Sequence, residues 1–268
     1  MCLGAARAEP PSLRVGLTPV FLDNQPLILD QWREYLKRHT GQPIDFIQRG
    51  SYQEIVDLLL RGDLDVAWLC GLPYVEHQNR LSLIAVPLYQ GAPLYRSYLI
   101  VPASDTNTRS WKTLPPGVFA FSDPNSNSGY LYPRWAMQQA GIDVDLYFRK
   151  TFFTRGHREV VEAVAVRLAD AGAVDGYVWE TLSQEHPELT GATRIVTKSE
   201  TFGFPPIVSR NTLPAGQQRK LRRVLVGMAQ DPQGREILKR FNLDGFVAGK
   251  PALYDSIVRM SRALGRIR

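Results

Sequence analysis

The most restrictive feature of the sequence is an alternation between short apolar segments and amphipathic segments with helical spacing. In the first hundred residues, turn residues such as Gly41 and Gly62 end the amphipathic segments. Ser51 and Glu54 form the capping-box signature of a helix start. The alternation predicts an α/β fold with largely parallel sheets. The strands predicted in this part of the chain are 13–17, 43–47, 65–69, 83–86 and 97–101.

A second α/β unit is predicted over residues 102–200. Its helices are predicted from near Ser128 to Gly141 and over 157–168. Its strands are predicted at 118–121, near 174–178 and near 194–196. After Phe204-Pro205-Pro206 the pattern predicts one more strand, followed by helices that begin near Pro214, Pro232 and Leu253.

Composition limits the class of protein. With 268 residues, of which 44% are hydrophobic, the chain can bury the core of one large domain or of two smaller ones. No apolar run reaches the roughly 20 residues that a membrane-spanning helix needs. The formal net charge is +6, but Lys and Arg are spread along the chain apart from a group at 219–223. That group lies on a predicted amphipathic helix and forms its solvated face, so we predict no nucleic-acid partner.

Residues 1–10 resemble the end of a secretory signal peptide. Ala6-Arg7-Ala8 matches the small-x-small pattern that precedes a cleavage site, and an arbitrary Ala-rich tail is the alternative. The pattern predicts that the protein is exported. Of the two cysteines, Cys2 falls in this segment, and its removal would leave Cys70 as an unpaired thiol.

Residues 122–133 concentrate small polar side chains at a predicted helix start. The side chains at 126–128 add neutral hydrogen-bond donors to the free N–H groups of a helix N-terminus, which attracts anions. Pro133 lacks an N–H and fits the first turn of the helix. Two compatible interpretations stay open: an oxyanion-binding site, or a helix cap formed by Asp123, Ser126 or Ser128.

Polar and aromatic residues recur near the predicted carboxyl ends of strands, where open α/β sheets bind their ligands. Each has an ordinary explanation when taken alone: a half-buried aromatic, a helix-start histidine or a turn residue. Their shared placement predicts one ligand site. The candidates are Thr18, Tyr52, Cys70, Tyr95, Ser126, Asn127, Ser128, His157 and Asp175.

The order of these motifs resembles the substrate-binding proteins of phosphonate, phosphite and phosphate ABC importers. The resemblance spans residues 13–204, and the segment 122–133 is its most specific part. It implies a two-lobed type II periplasmic binding fold, in which each lobe is a mostly parallel sheet flanked by helices. The implied lobes are 11–98 plus 204–268 and 99–203, with crossings near 98–101 and 201–206. The other matching motifs are Ser51-Tyr52-Gln53-Glu54, Leu64-Asp65-Val66-Ala67-Trp68, Tyr95-Arg96-Ser97-Tyr98-Leu99, Arg155-Gly156-His157 and residues 169–175.

The resemblance also implies roles for the candidate residues. A protonated His157 would donate two hydrogen bonds, which predicts pH-sensitive affinity for the oxyanion. Cys70 and Asp175 complete the predicted ligand-binding set. The implied protein is a monomeric periplasmic carrier without a cofactor, which presents its ligand to an ABC permease or to a membrane sensor histidine kinase. In this scheme the oxyanion is held from the second lobe by Ser126, Asn127, Ser128 and His157, and it is covered from the first lobe by Tyr52 and Tyr95.

Two positions depart from the family pattern. Asn127 stands where family members often have a hydroxyl residue, but its amide still donates hydrogen bonds. Cys70 stands where many have Gly or another small residue, and a small buried apolar thiol is its ordinary role. The sequence also resembles an arsenic-sensing branch of the family, in which a cleft cysteine is used and the partner is a histidine kinase. Because thiolates prefer soft partners such as As(III), arsenite sensing through Cys70 is the alternative function.

An enzyme is the competing class of protein, with Cys70 as nucleophile and His157 as base. The two residues are assigned to opposite lobes, and no orienting acid is evident. No Walker loop, zincin motif or Cys/His set with metal-ligand spacing occurs in the sequence. We therefore predict a protein without catalytic activity and without a metal site, except for Cys70 if the ligand is arsenite.

Overall fold

Two large β-sheets with helices on their faces make up most of the structure, and a two-stranded sheet lies at the passages between them. A computed structural model describes residues 11–18 and 26–267, and the predicted signal-peptide remnant at 1–10 lies outside these residues. The described strands are β1 (Leu13–Leu17), β2 (Ile44–Gln48), β3 (Val66–Trp68), β4 (Leu81–Leu88), β5 (Leu94–Tyr95), β6 (Ser97–Pro102), β7 (Val118–Phe121), β8 (Lys150–Phe153), β9 (Ala171–Asp175), β10 (Thr193–Lys198), β11 (Phe202–Gly203), β12 (Ile207–Arg210) and β13 (Gly245–Val247).

Helices connect most of these strands. Short 3₁₀ segments cover Trp111–Thr113, Gly227–Gln230 and Pro251–Tyr254, and one π-helical turn covers Asn127–Leu131. None of the helices in the described ranges has the length and apolar character that crossing a bilayer requires. The described α-helices are α1 (Pro26–Thr40), α2 (Tyr52–Arg61), α3 (Gly71–Glu76), α4 (Tyr132–Gln139), α5 (Val144–Tyr147), α6 (His157–Ala165), α7 (Gly176–Glu185), α8 (Pro187–Gly191), α9 (Ala215–Val226), α10 (Pro232–Arg240) and α11 (Asp255–Ala263).

Most strands of each sheet run in one direction. The six-stranded sheet has the order β13-β4-β12-β3-β1-β2, in which only β12 and β13 run against the others. The five-stranded sheet has the order β10-β6-β9-β7-β8, in which only β6 does so. The reversed strands β6 and β12 each follow a crossing between the sheets, so they start at the edge where their neighbours end. The predicted α/β fold with mostly parallel sheets is confirmed.

Two short strands mark the passages of the chain between the sheets. β5 pairs antiparallel with β11, and only Arg96 separates β5 from β6. Ser97 and Tyr98 therefore already belong to the five-stranded sheet, although the predicted first lobe extends to residue 98. The chain returns through residues 199–201, between β10 and β11. The limits of the lobes stay a prediction.

Local predictions fail where an apolar run continues past an element boundary. The strand predicted near 174–178 ends at Asp175, whose carboxylate accepts the N–H of Tyr177 and thereby starts α7. The helix predicted over 157–168 ends at Ala165. The sequence does not predict α3 at all, because Gly71 and Pro73 are typical of turns.

Close packing of α6 on the second sheet places His157 beside the end of β9. Gly172 of β9 permits this approach, since a Cβ atom there would lie only 2.6 Å from Cγ1 of Val160 in α6. His157 is the first residue of α6, and Asp175 is the last residue of β9. The fold thus brings together two candidate residues that are 18 positions apart in the sequence.

Candidate functional site

The π-helical turn at Asn127–Leu131 forms the centre of the candidate site. The N–H of Leu131 donates to the carbonyl of Ser126 at 3.0 Å, five residues back in the chain. Ser126 Oγ accepts the N–H of Gly129, also at 3.0 Å. Ser126 therefore caps the turn, and α4 continues the helix from Tyr132. The cap interpretation of this segment is confirmed for Ser126.

Pro133 lets the turn bond to neighbouring strands. Because Pro133 has no N–H, the Ser128 carbonyl has no donor five residues ahead and instead accepts the hydroxyl of Ser97 at 2.6 Å. The Gly129 carbonyl accepts the N–H of Ser122 at 3.2 Å. The turn is therefore fixed to the start of β6 and to the end of β7.

Gly129 allows two side chains to approach the turn closely. A Cβ atom at this position would lie 1.9 Å from Ser122 Oγ and 3.0 Å from Cε1 of His157. Neither distance is compatible with a side chain unless the neighbours move. Gly129 is thus required for the position of His157 against the turn.

His157 is held as a neutral ring with its proton on one known nitrogen. The backbone N–H of Asp175 donates to Nδ1 at 3.1 Å, so Nδ1 is an acceptor and the ring proton lies on Nε2. Nε2 lies 3.4 Å from Ser126 Oγ. Burial lowers the pKa of His157 to about 3. The predicted double donation by a protonated His157 is therefore wrong, since Nδ1 already faces a donor and the charged ring would be buried.

The first sheet and the crossing strands supply the opposite side of the site. Cys70 follows β3, and its Sγ accepts the backbone N–H of Asn127 at 3.2 Å. The Asn127 amide Nδ2 donates to the hydroxyl of Tyr95 at 2.9 Å. Tyr52, the first residue of α2, lies within electrostatic range of Cys70, Tyr95 and Asp175. The structure therefore brings together every residue of the predicted ligand-binding set.

Four buried polar atoms in this region make no well-aligned hydrogen bond to the described residues, although the Ser128 hydroxyl lies close to that of Tyr95. Buried polar groups are nearly always paired, so such atoms indicate a place for a ligand or for ordered water. Their residues lie on both sides of the site, and all are buried. The atoms are the hydroxyl oxygens of Tyr52, Ser122 and Ser128 and the amide oxygen of Asn127.

Burial keeps the ionisable groups of the site close to neutral. It raises the pKa of Cys70 to about 11 and that of Asp175 to about 8, although N–H groups oppose both shifts. It also raises the pKa values of Tyr52 and Tyr95 well above their usual range. At neutral pH the site thus presents hydroxyl, thiol, amide and imidazole groups, and a carboxyl group that can gain or lose one proton. Such a site accommodates an anion without a fixed opposing charge.

The sequence interpretation missed a contact that joins the two sides. Asp123 Oδ2 accepts the backbone N–H of Tyr52 at 3.4 Å, and the side-chain amide of Asn125 donates to Gln53 Oε1 at 2.9 Å. The sequence analysis treated Asp123 only as a candidate helix cap. Its position just before residues 126–128, the proposed anion seat, was the signal that could have predicted this contact. Thr18, in contrast, donates to the Trp68 carbonyl at 3.0 Å and links two strands.

The geometry gives no support to the alternatives that use Cys70. Both need the thiolate form of Cys70 in the course of reaction, and burial raises the pKa of this thiol to about 11, which disfavours that form. His157 cannot serve as a base through Nε2, because that nitrogen carries the ring proton. Within residues 11–18 and 26–267, no cluster of three or more His, Cys, Asp or Glu side chains is arranged to hold a metal ion.

Residues 16–254 match the protein family described as "ABC transporter, phosphonate, periplasmic substrate-binding protein". The chain belongs to this family. The family binds and delivers substrates, which confirms the prediction that the chain is not an enzyme. The family operates with ABC transporters, so the prediction of an ABC transporter as the partner is confirmed for the family.

Relatives with similar sequences and structures agree with this family. A probable ABC transporter phosphite binding protein, PhnD1 of Prochlorococcus marinus, is 24% identical over 97% of this chain and 92% of its own length. A phosphate-import protein, PhnD of Mycolicibacterium smegmatis, is 26% identical over 80% of this chain and 68% of its own length. The solved structure of Prochlorococcus marinus PhnD1 with methylphosphonate has a TM-score of 0.84 at 24% identity, covering 96% of this chain and 99% of that chain. The predicted two-lobed fold is thereby confirmed.

Asp175 is expected to make the ligand-free protein less stable as the pH rises. The pKa of Asp175 is about 8 in the folded state and about 4 in the unfolded state. Between these pH values the folded protein holds one proton more than the unfolded protein, so the free energy of unfolding falls as the pH rises. His157, with its lowered pKa, acts in the opposite direction but only up to about pH 6.5. We expect the free energy of unfolding to fall by roughly 1 kcal/mol between pH 7 and pH 8.5.

Chemical denaturation at several pH values measures this effect, and Asp175→Asn is the matched control. The amide cannot titrate, so the variant should lose the decline between pH 7 and pH 8.5. Equal slopes in the two proteins would show that Asp175 ionises normally in the folded state.

Gly129→Ala is expected to displace Ser122 and His157 and to weaken ligand binding at least tenfold. The added Cβ would lie 1.9 Å from Ser122 Oγ, so the turn or the strand end must move. Gly216→Ala in the exposed start of α9 is the control, because a Cβ there meets nothing within 4 Å. Titration calorimetry with methylphosphonate would compare both variants with the wild type. Undiminished affinity in Gly129→Ala would contradict the tight fit around the turn.

Proposed function

We propose that this chain is an exported carrier that captures a small phosphorus oxyanion, of the phosphonate, phosphite or phosphate class, between its two lobes. The observation that carries the proposal is a pair of buried hydroxyls, on Ser128 and Tyr52, that make no well-aligned hydrogen bond to any described residue. Nε2 of His157 lies beside the same turn, 3.4 Å from Ser126 Oγ. Ser128 and His157 come with the second sheet and Tyr52 with the first, so an oxyanion that bonds to all three would join both lobes. The names of the relatives point to the same ligand chemistry.

Hydrogen bonds from neutral donors are sufficient for tight binding. Each hydrogen bond to a charged group contributes about 1.5–3 kcal/mol. Four to six such bonds, less the cost of closing the lobes, give about −8 kcal/mol, which corresponds to micromolar affinity. Neutral donors leave no buried positive charge behind when the anion is released.

Asp175 adapts the site to ligands that titrate near neutral pH. With its pKa raised to about 8, its carboxyl group donates a hydrogen bond when protonated and accepts one when ionised. An oxyanion with one ionisable P–OH group therefore finds a complementary partner in either protonation state.

Delivery follows from closure and reopening of the lobes, which we take as residues 11–98 plus 204–268 and residues 99–203. Bending would occur at the crossings, beside the β5–β11 pair. The family's transport role supports an ABC permease as the partner that receives the ligand from this protein in the periplasm. The histidine-kinase partner, the monomeric state and the signal peptide stay predictions.

Ser128→Ala is the sharpest test of the proposed function. The Ser128 hydroxyl makes no well-aligned hydrogen bond to the described residues, so its removal should weaken methylphosphonate binding at least tenfold and leave the unfolding midpoint nearly unchanged. Ser126→Ala is a less specific variant, because it also removes a helix cap worth about 1 kcal/mol. Titration calorimetry and thermal unfolding would measure the two effects separately.

Ser209→Ala is the matched control, since Ser209 is equally buried but lies in β12 and donates to the Arg210 carbonyl. Phosphate, phosphite, sulfate and arsenite complete the ligand panel. Wild-type affinity in Ser128→Ala would exclude the seat at residues 126–128. Binding of arsenite alone, lost in Cys70→Ser, would replace the proposal with the arsenic-sensing alternative.

A further inference from the structure

Arg266 connects the first lobe to the segment that precedes the anion seat. Gly265, with a φ of 70°, turns the chain after α11, and the N–H of Arg266 donates to the Ser261 carbonyl at 2.9 Å. Its Nε donates to Glu76 Oε1 at 2.7 Å, within the first lobe. This ion pair orients the guanidinium group toward the second lobe.

The two terminal nitrogens of Arg266 both reach across to the second lobe. Nη1 donates to the Pro124 carbonyl at 2.8 Å, and Nη2 donates to Asn125 Oδ1 at 3.2 Å. A planar guanidinium group can serve three acceptors in fixed directions, which an ammonium group cannot. The side chains of Arg266 and Glu76 are 27% and 15% exposed, so the contact is less accessible to solvent than an ordinary surface ion pair.

Asn125 is held by the first lobe from both ends of its amide. Its oxygen accepts from Arg266, and its Nδ2 donates to Gln53 Oε1 at 2.9 Å. Asn125 directly precedes Ser126, whose N–H donates to the Asp123 carbonyl at 2.9 Å. A contact that fixes Asn125 across the cleft therefore also fixes the turn that carries Ser126.

We propose that Arg266 is a closure latch: it bonds the 124–125 segment only when the lobes are together and so prolongs the closed, ligand-loaded state. Arg266 is a positioning residue, because it touches the segment beside the seat and not the site itself. The proposal rests on the proposed function for its ligand, although closure itself can be measured without one. A latch that forms after closure slows release and leaves capture unaffected.

Stopped-flow binding of methylphosphonate tests the latch. Arg266→Ala should release the ligand about tenfold faster than the wild type, with an association rate within about twofold of it. Arg266→Lys, which keeps the charge but loses the planar fork, should lie closer to Arg266→Ala than to the wild type. Arg262→Ala removes the same charge from an exposed position of α11 and should release at the wild-type rate. Equal release rates in Arg266→Ala and Arg262→Ala would overturn the proposal.

Hydrogen exchange separates the latch from the proposed function. The N–H groups of Tyr52 and Asn127 bond across the lobes, so their exchange reports opening even without ligand. Faster exchange in ligand-free Arg266→Ala than in Arg262→Ala supports the latch, and equal exchange overturns it. If wild-type protein binds no oxyanion of the panel, the proposed function fails while this comparison still decides the latch. If Arg266→Ala does not fold, Arg266→Lys takes its place in both measurements.

Discussion

One turn of π-helix determines where the groups of the candidate site lie. In this turn the hydrogen bond runs from Leu131 to Ser126, and the Ser128 carbonyl accepts the hydroxyl of Ser97. Pro133 removes the N–H that an uninterrupted helix would use. Irregular helical turns of this kind are frequent at functional sites, because they direct backbone and side-chain groups that a regular helix would pair internally.

Both lobes hold the turn in place, by contacts to the turn itself and to residues 123–125, which precede it. Cys70 accepts the N–H of Asn127, and Tyr95 accepts from the Asn127 side chain. On another edge of the interface, the Tyr89 hydroxyl from the first lobe donates to Glu180 of α7. These contacts describe a closed arrangement in which polar groups of one lobe satisfy those of the other. The hydroxyls of Tyr52, Ser122 and Ser128, which make no well-aligned hydrogen bond to the described residues, are the groups left for a ligand in the proposed function.

Local signals in the sequence predicted much of this arrangement. The Ser51 cap of α2 and the strand at 118–121 follow from residue type and spacing, and both occur as predicted. The set of candidate residues also came from position at strand ends, and the structure brings that set together. Their role in binding is part of the proposed function.

Other features depend on contacts between distant residues and leave no local signal. The protonation state of His157 follows from the N–H of Asp175, 18 residues away, and so its predicted second donation was wrong. The sequence does not indicate that β9 ends at Asp175, because the apolar residues Tyr177 and Val178 follow two and three positions later. Arg266 reaches Asn125 across 141 positions, a pairing that only the packed lobes determine.

A crystal structure of the protein with methylphosphonate would test the central claim most directly. The account predicts phosphonate oxygens within about 3 Å of Ser128 Oγ, Tyr52 OH and His157 Nε2. It also predicts that the His157 Nδ1 contact with Asp175 is unchanged. A phosphonate group bound elsewhere, with these hydroxyls still unpaired or bonded only to water, would contradict the assignment of the turn as the oxyanion seat.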